Sequence, residues 1–283
     1  MSGAPGAGAV RRRRLVAIGT FLLALAVIAW VVFGELLGAD TAGAEVSGIT
    51  VDSKDVGNPL ETNVVIPEGV DADGAPLLVF LHGRGGDEDA YTGDDAMFEA
   101  LAATDGAPVV AFPDGGDSSY WHDREEGKWG SYVTDEVIPA VEEQFGTDPA
   151  HVAIGGISMG GFGALDLARL HPGDFCAVGG HSPALWTDGG LSAAGAFDDA
   201  EDFEAHDVVA AGAGTSSPYS KLPVWIDEGD ADPFKEADIT FVQNLEGHTD
   251  LSGRIWPGGH DSDYWHQHWD EYFAFYAKQL ADC

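Results

Sequence analysis

Basic residues are scarce in this sequence. Lysine and arginine number 13 against 48 aspartates and glutamates, a formal net charge of −35. A field of that sign repels nucleic acid, anionic lipid and polyanionic substrates, and no nucleic-acid partner is expected. The acidic coat suits a salty or acidic exterior, so it speaks to habitat rather than to chemistry. Cysteine is almost absent, with only Cys176 and the terminal Cys283. No C-x-x-C pair exists, so a zinc–thiolate site is excluded. The two thiols leave two readings open: a disulfide that staples the C-terminus to the core, or a buried small hydrophobe and a free terminal thiol. Internal repeats are missing as well. No lysine lies near the glycine-rich stretch 155–163, which excludes the phosphate loop G-x-x-x-x-G-K-[ST].

Long uncharged runs are equally rare, and the one present stands at the start. Residues 11–14 are four arginines, followed by twenty residues without a charge, 15–34. Twenty helical residues span about 30 Å, the thickness of a bilayer's hydrocarbon core. The expected organisation is a cytoplasmic basic segment (1–14), a transmembrane helix or signal core (15–38), a short linker (39–47) and one globular domain (48–283). Ala42-Gly43-Ala44 reads as a signal cleavage site, so an uncleaved anchor and a secreted form are both open. Either way the arginines stay inside and the domain is extracytoplasmic.

Within the domain, apolar runs of strand length alternate with helical patterns. "APLLVFLH", "APVVAFPD", "HVAIGGI", "FCAVGGHS" and "LPVWIDEG" read as strands. "SYVTDEVIPAVEEQFG" has helical spacing, with a stop at Gly146, and "DYWHQHWDEYFAFYAKQLA" reads as one last helix. The alternation predicts an α/β domain with a mostly parallel sheet and helices on both faces. Residues 184–220, rich in Ala, Gly and Asp, interrupt the rhythm where a lid segment would sit.

Gly156-Ile157-Ser158-Met159-Gly160 follows an apolar strand and opens a helix. That context fits the G-x-S-x-G nucleophile elbow, in which a sharp strained turn projects the serine hydroxyl from the sheet edge. Side chains two positions either side of Ser158 would collide across such a turn, hence the glycines. A serine hydroxyl is a weak nucleophile and needs a base, and the base needs an orienting acid. In this arrangement the chain order is serine, acid, histidine. Past the strand "VWIDEG", Asp232 is the favoured acid and Asp230 the runner-up, whereas Asp227 lies within the strand and points into packing. His260, freed by Gly258 and Gly259, is the base. The backbone N–H groups of Met159 and of Arg84, in "HGRGG", are placed to receive a developing oxyanion. His266 and His268 could join His260 at a metal, but residues two apart on a helix face different directions. No metal or cofactor is expected.

Six motifs in order, "FLHGRGG", "FPDGGDSSYWHD", "GGISMGGFGAL", "HSPALW", "DEGDADPF" and "PGGHDSDYW", resemble the esterase branch of the α/β-hydrolases. That branch holds S-formylglutathione hydrolase (esterase D), feruloyl esterases and mycolyltransferases. The resemblance runs from about residue 60 to the end. It implies the α/β-hydrolase fold, Ser158, Asp232 and His260 as the triad, and Met159 and Arg84 at the oxyanion positions. It also implies a site-lining tryptophan at Trp129; His82 and His181 are taken as further candidates for the substrate wall. The expected activity is hydrolysis of a small-molecule or cell-envelope ester through an acyl-enzyme. Acyl transfer to a sugar or lipid hydroxyl is the alternative, with Tyr120, Trp121, Trp129, Trp186 and Trp265 as candidates for a sugar groove. A non-catalytic binding protein on the same scaffold is a minor one. Oligomeric state is not specified by the sequence.

Overall fold

The computed structural model describes residues 39–283, so the expectations for 1–14 and 15–38 lie outside the described residues. Among the described residues, no helix is long and apolar enough to cross a membrane. The domain begins with a hairpin, β1 (Glu45–Asp52) and β2 (Pro59–Ile66), three residues earlier than the expected boundary at 48. It continues through β3 (Leu77–Leu81), α1 (Asp95–Ala103), β4 (Val109–Pro113) and a small hairpin, β5 (Asp123–Arg124) and β6 (Gly127–Lys128). A helical turn and a π-helical stretch, Tyr132–Val137, lead into α2 (Ile138–Phe145), which stops at Gly146 as expected. Then come β7 (Val152–Ile157), α3 (Met159–Leu170), β8 (Val178–His181), the short α4 (Ala200–Ala205) and α5 (Val208–Ala211), β9 (Val224–Gly229), α6 (Lys235–Leu245) and β10 (Leu251–Trp256). The chain closes with α7 (Ser262–Trp265) and α8 (Trp269–Asp282).

One eight-stranded sheet has the order β1-β2-β4-β3-β7-β8-β9-β10. The first two pairings are antiparallel and the rest parallel. Strands β3, β4 and β7 are buried at every position, as expected of a sheet covered on both faces. Successive side chains on a strand alternate faces. A Cβ on Gly155 or Gly179 would strike the Tyr276 hydroxyl of α8, whereas one on Gly180 would meet Leu165 of α3 at 2.9 Å. So α3 and α8 cover opposite faces, and the first two glycines make room for a tyrosine that reaches under the sheet.

The last helix is not continuous. Asp261 caps the first piece by accepting from the Tyr264 amide, and the chain turns through 266–268 before α8 starts. The three nearby histidines therefore separate. His260 faces Ser158, His266 pairs with Asp94 at 2.7 Å, and the His268 ring stacks on Trp256 at 3.8 Å. Cys176 and Cys283 form a disulfide across 107 residues, which ties the C-terminus to the segment before β8. Closing a loop of that length is worth about 2–5 kcal/mol.

Candidate active site

Register brings the loops of the site to one edge. Leu81 lies beside Gly156, Ile157 beside His181, His181 beside Asp227, and Gly229 beside Trp256. The chain leaving β3, β7, β9 and β10 therefore emerges on a common rim. At that rim Ser158 has φ 57° and ψ −116°, a left-handed conformation that side chains other than glycine adopt at a cost. The turn survives because nothing crowds it. A Cβ on Gly156 would sit 2.5 Å from the Gly160 carbonyl carbon, and one on Gly160 would strike the Leu81 carbonyl.

The three predicted residues meet there. His260 Nε2 lies 2.9 Å from Ser158 Oγ, and His260 Nδ1 lies 2.8 Å from Asp232 Oδ2. A carboxylate only accepts, so the proton sits on Nδ1 and Nε2 is left to accept from the serine hydroxyl. The other Asp232 oxygen accepts from the Phe234 amide at 2.8 Å, which fixes the carboxylate plane. Asp230, the runner-up, instead accepts from the Gly258 amide at 3.1 Å and so braces the loop that carries His260. Asp227 is sealed in the interior, as expected of a residue within the strand.

Loop 82–86 presents the second oxyanion candidate. The Gly85 amide donates to Asp117 O and the Gly86 amide to Gly83 O. The Arg84 amide, just before Gly85, and the Met159 amide have no partner among the described residues, so both are available to a ligand at Ser158. His82 holds this loop from beneath rather than lining the cavity. Its Nδ1 donates to Gly83 O at 2.8 Å and its Nε2 accepts from the Gly115 amide at 2.9 Å. Burial lowers its pKa and keeps it in that neutral form. The Trp121 indole then donates to the His82 carbonyl at 3.1 Å.

Two other expected wall residues are also displaced from the cavity. His181 is fully buried; its Nδ1 meets Asp227 at 2.7 Å and its Nε2 meets the Tyr276 hydroxyl at 2.9 Å. Trp129 packs edge-on to Tyr132 and against the loop glycine Gly116. Both stand at strand or helix ends on the correct edge, but their side chains turn into packing. The actual wall encloses about 780 Å³ and includes Arg84, Tyr91, Tyr120, Phe234, Trp265 and Trp269. Of the five aromatics expected around a groove, Tyr120 and Trp265 line it. Trp186 packs behind, against Tyr120 and Phe234. Nothing in the sequence marks Tyr91 and Trp269 as wall residues; Trp269 donates to Asp94, the cap of α1, an element whose nine residues carry too weak a pattern to predict. Residues 184–220 form the far wall through Ala193 and are pinned by Arg124, whose guanidinium meets Asp198 at 2.9 Å.

The family described as "Putative esterase" matches residues 53–280. Esterase Rv1288 of Mycobacterium tuberculosis (strain ATCC 25618 / H37Rv) is 32% identical over 130 residues, covering 42% of this chain and 28% of that protein. The match thus spans little more than a quarter of the mycobacterial protein's length. S-formylglutathione hydrolase of Bos taurus is 27% identical over 211 residues, 65% of this chain and 73% of the relative. Among solved structures, a ferulic acid esterase superposes with a TM-score of 0.73 at 22% identity, covering 83% of this chain and 99% of the other, which shows a shared fold. With an elbow serine on a mostly parallel α/β sheet and a family match over most of its length, the chain belongs to the esterase family.

Proposed function

We propose that this protein is a serine carboxylesterase that works through an acyl-enzyme. The observation that carries the reading is the continuous relay Asp232–His260–Ser158, with spacings of 2.8 and 2.9 Å, opening into an aromatic cavity. Ser158 Oγ attacks the ester carbonyl carbon while its proton passes to His260 Nε2. The carbonyl oxygen takes up the electron pair and is met by the Arg84 and Met159 amides. Asp232 stabilises the imidazolium. The tetrahedral intermediate then expels the alcohol, which leaves with the proton from His260. Water, deprotonated by the same nitrogen, releases the acid and restores Ser158.

The cavity wall supports an uncharged, partly aromatic or short acyl group rather than a polyanion. Acyl transfer uses the same intermediate with a sugar or lipid hydroxyl in place of water, and the aromatic rim supports that outcome too. Product analysis with and without an added acceptor alcohol separates them. Export is part of the reading: the Cys176–Cys283 disulfide suits an oxidising compartment, in keeping with the basic and apolar segments at 11–34. Turnover of acetyl, butyryl and feruloyl esters by the protein, abolished in Ser158→Ala, is the expected result. Undiminished turnover by Ser158→Ala would refute it.

A further inference from the structure

A second group of polar side chains converges away from Ser158, where residues 184–220 meet the body of the domain. His122 follows the Tyr120–Trp121 turn, Asp202 lies on α4, and His206 caps that helix. Each offers one ligand atom, and these atoms lie within 4.8 Å of one another. His122 Nε2 is 3.2 Å from Asp202 Oδ2, and His206 Nε2 is 3.7 Å from Asp202 Oδ1. Ligand atoms bound at zinc distances on a tetrahedral ion stand about 3.4 Å apart, between those two values. The 3.7 Å spacing is too long for a hydrogen bond. Among the described residues neither His206 Nε2 nor Asp202 Oδ1 has any other hydrogen-bond partner, and the fully buried His122 keeps a partnerless Nδ1.

Behind these residues stands a supporting shell. His206 Nδ1 donates to Asp166 Oδ2 at 2.7 Å, and Asp166, itself fully buried, is held through Oδ1 by Arg169 Nε at 2.8 Å. A carboxylate on the far nitrogen of an imidazole fixes the tautomer that frees Nε2 for an ion. A hydrogen-bonded His–Asp cluster without an ion would not need Nε2 left open beside an unused carboxylate oxygen.

We infer that His122, Asp202 and His206 bind a divalent transition metal of the zinc type, at a site separate from Ser158. Two imidazoles and one carboxylate suit such an ion better than magnesium or calcium, which take oxygen ligands. The ion joins residues 80 positions apart and clamps α4 to the body of the domain. The ring of Phe197 lies 5.3 Å from His122 and 6.4 Å from the cavity residue Tyr120, so the clamp steadies one wall of the cavity.

The test is titration of the EDTA-stripped full-length chain with zinc chloride against a chromophoric chelator. One equivalent is expected to bind with a Kd below micromolar. His206→Ala and Asp202→Asn, checked for folding by circular dichroism, should each weaken binding at least 100-fold. Asp166→Asn should weaken it about 10–100-fold, and His151→Ala, at a distant surface histidine, not at all. Loading the wild-type protein with cobalt(II) gives a readout that needs no variant: the strong visible bands of a four-coordinate ion support the site. Less than a tenth of an equivalent bound, the weak bands of hydrated cobalt, or unchanged affinity in folded His206→Ala would overturn it. None of these outcomes depends on ester turnover, so the esterase reading stands or falls separately.

Discussion

Two Asp–His pairs lie at the end of β9, a few residues apart. Asp232–His260 spans 2.8 Å and Asp227–His181 spans 2.7 Å. Measured by that one contact they are equivalent. Their surroundings differ. The His260 side chain keeps a fifth of its surface and turns its second nitrogen to Ser158, which opens on the cavity. His181 and Asp227 have no exposure. The second nitrogen of His181 meets Tyr276, and Asp227 also accepts from Trp225, Tyr264 and Tyr272 at 2.7–2.9 Å. The inner pair is saturated and sealed, so it holds β8, β9 and α8 together. A His–Asp contact becomes a base only when the other nitrogen faces a nucleophile that substrate can reach.

Substitutions should separate the two pairs. The largest effect belongs to Asp232→Asn, which keeps the volume but favours the wrong imidazole tautomer. A loss of about 10⁴-fold in kcat is expected with little change in Tm, measured by steady-state hydrolysis and thermal melts; Asp230→Asn should fall far short of that. His181→Ala should invert the pattern. Leaving Asp227 buried without one partner costs about 3 kcal/mol of stability, read by urea denaturation, while kcat of the folded fraction stays within a few-fold. Equal loss of activity in both variants would erase the distinction.

A smaller effect comes from Glu228, between the two aspartates in sequence. Burial first, then the charges of Asp227 and Asp232, push its pKa up to about 8. The unfolded chain loses that proton near the ordinary carboxyl range, so between about pH 4.5 and 8 the folded state binds more protons. Stability therefore falls as pH rises through this window and levels off above it. Glu228→Gln should flatten the slope and raise stability at pH 9 by on the order of 1–2 kcal/mol. Melts at pH 5 and pH 9 check this; a variant with the wild-type slope would assign it elsewhere.

The contrast also marks what the sequence could carry. Ser158, Asp232 and His260 were legible because glycines at 156, 160, 258 and 259 announce tight turns beyond apolar strands. The inner pair was half legible: Asp227 read as a packing residue, yet His181 was assigned to the cavity wall. Only the order of the strands reveals that His181 stands beside Asp227 on the neighbouring strand. His82 and Trp129 failed for the same reason, since position along a strand or helix does not say which way a side chain turns. The cluster of His122, Asp202 and His206 has no local spacing at all, because its members meet only when α4 folds back on the body. The cysteines left two readings that the paired sulfurs of Cys176 and Cys283 resolve.

The most direct test of the central claim is covalent labelling of the protein with a fluorophosphonate, followed by peptide mapping. One label per chain on Ser158, lost in Ser158→Ala and strongly slowed in His260→Ala but retained in folded His181→Ala, is the predicted result. Labelling that persists in Ser158→Ala, or that depends on His181 as much as on His260, would contradict it.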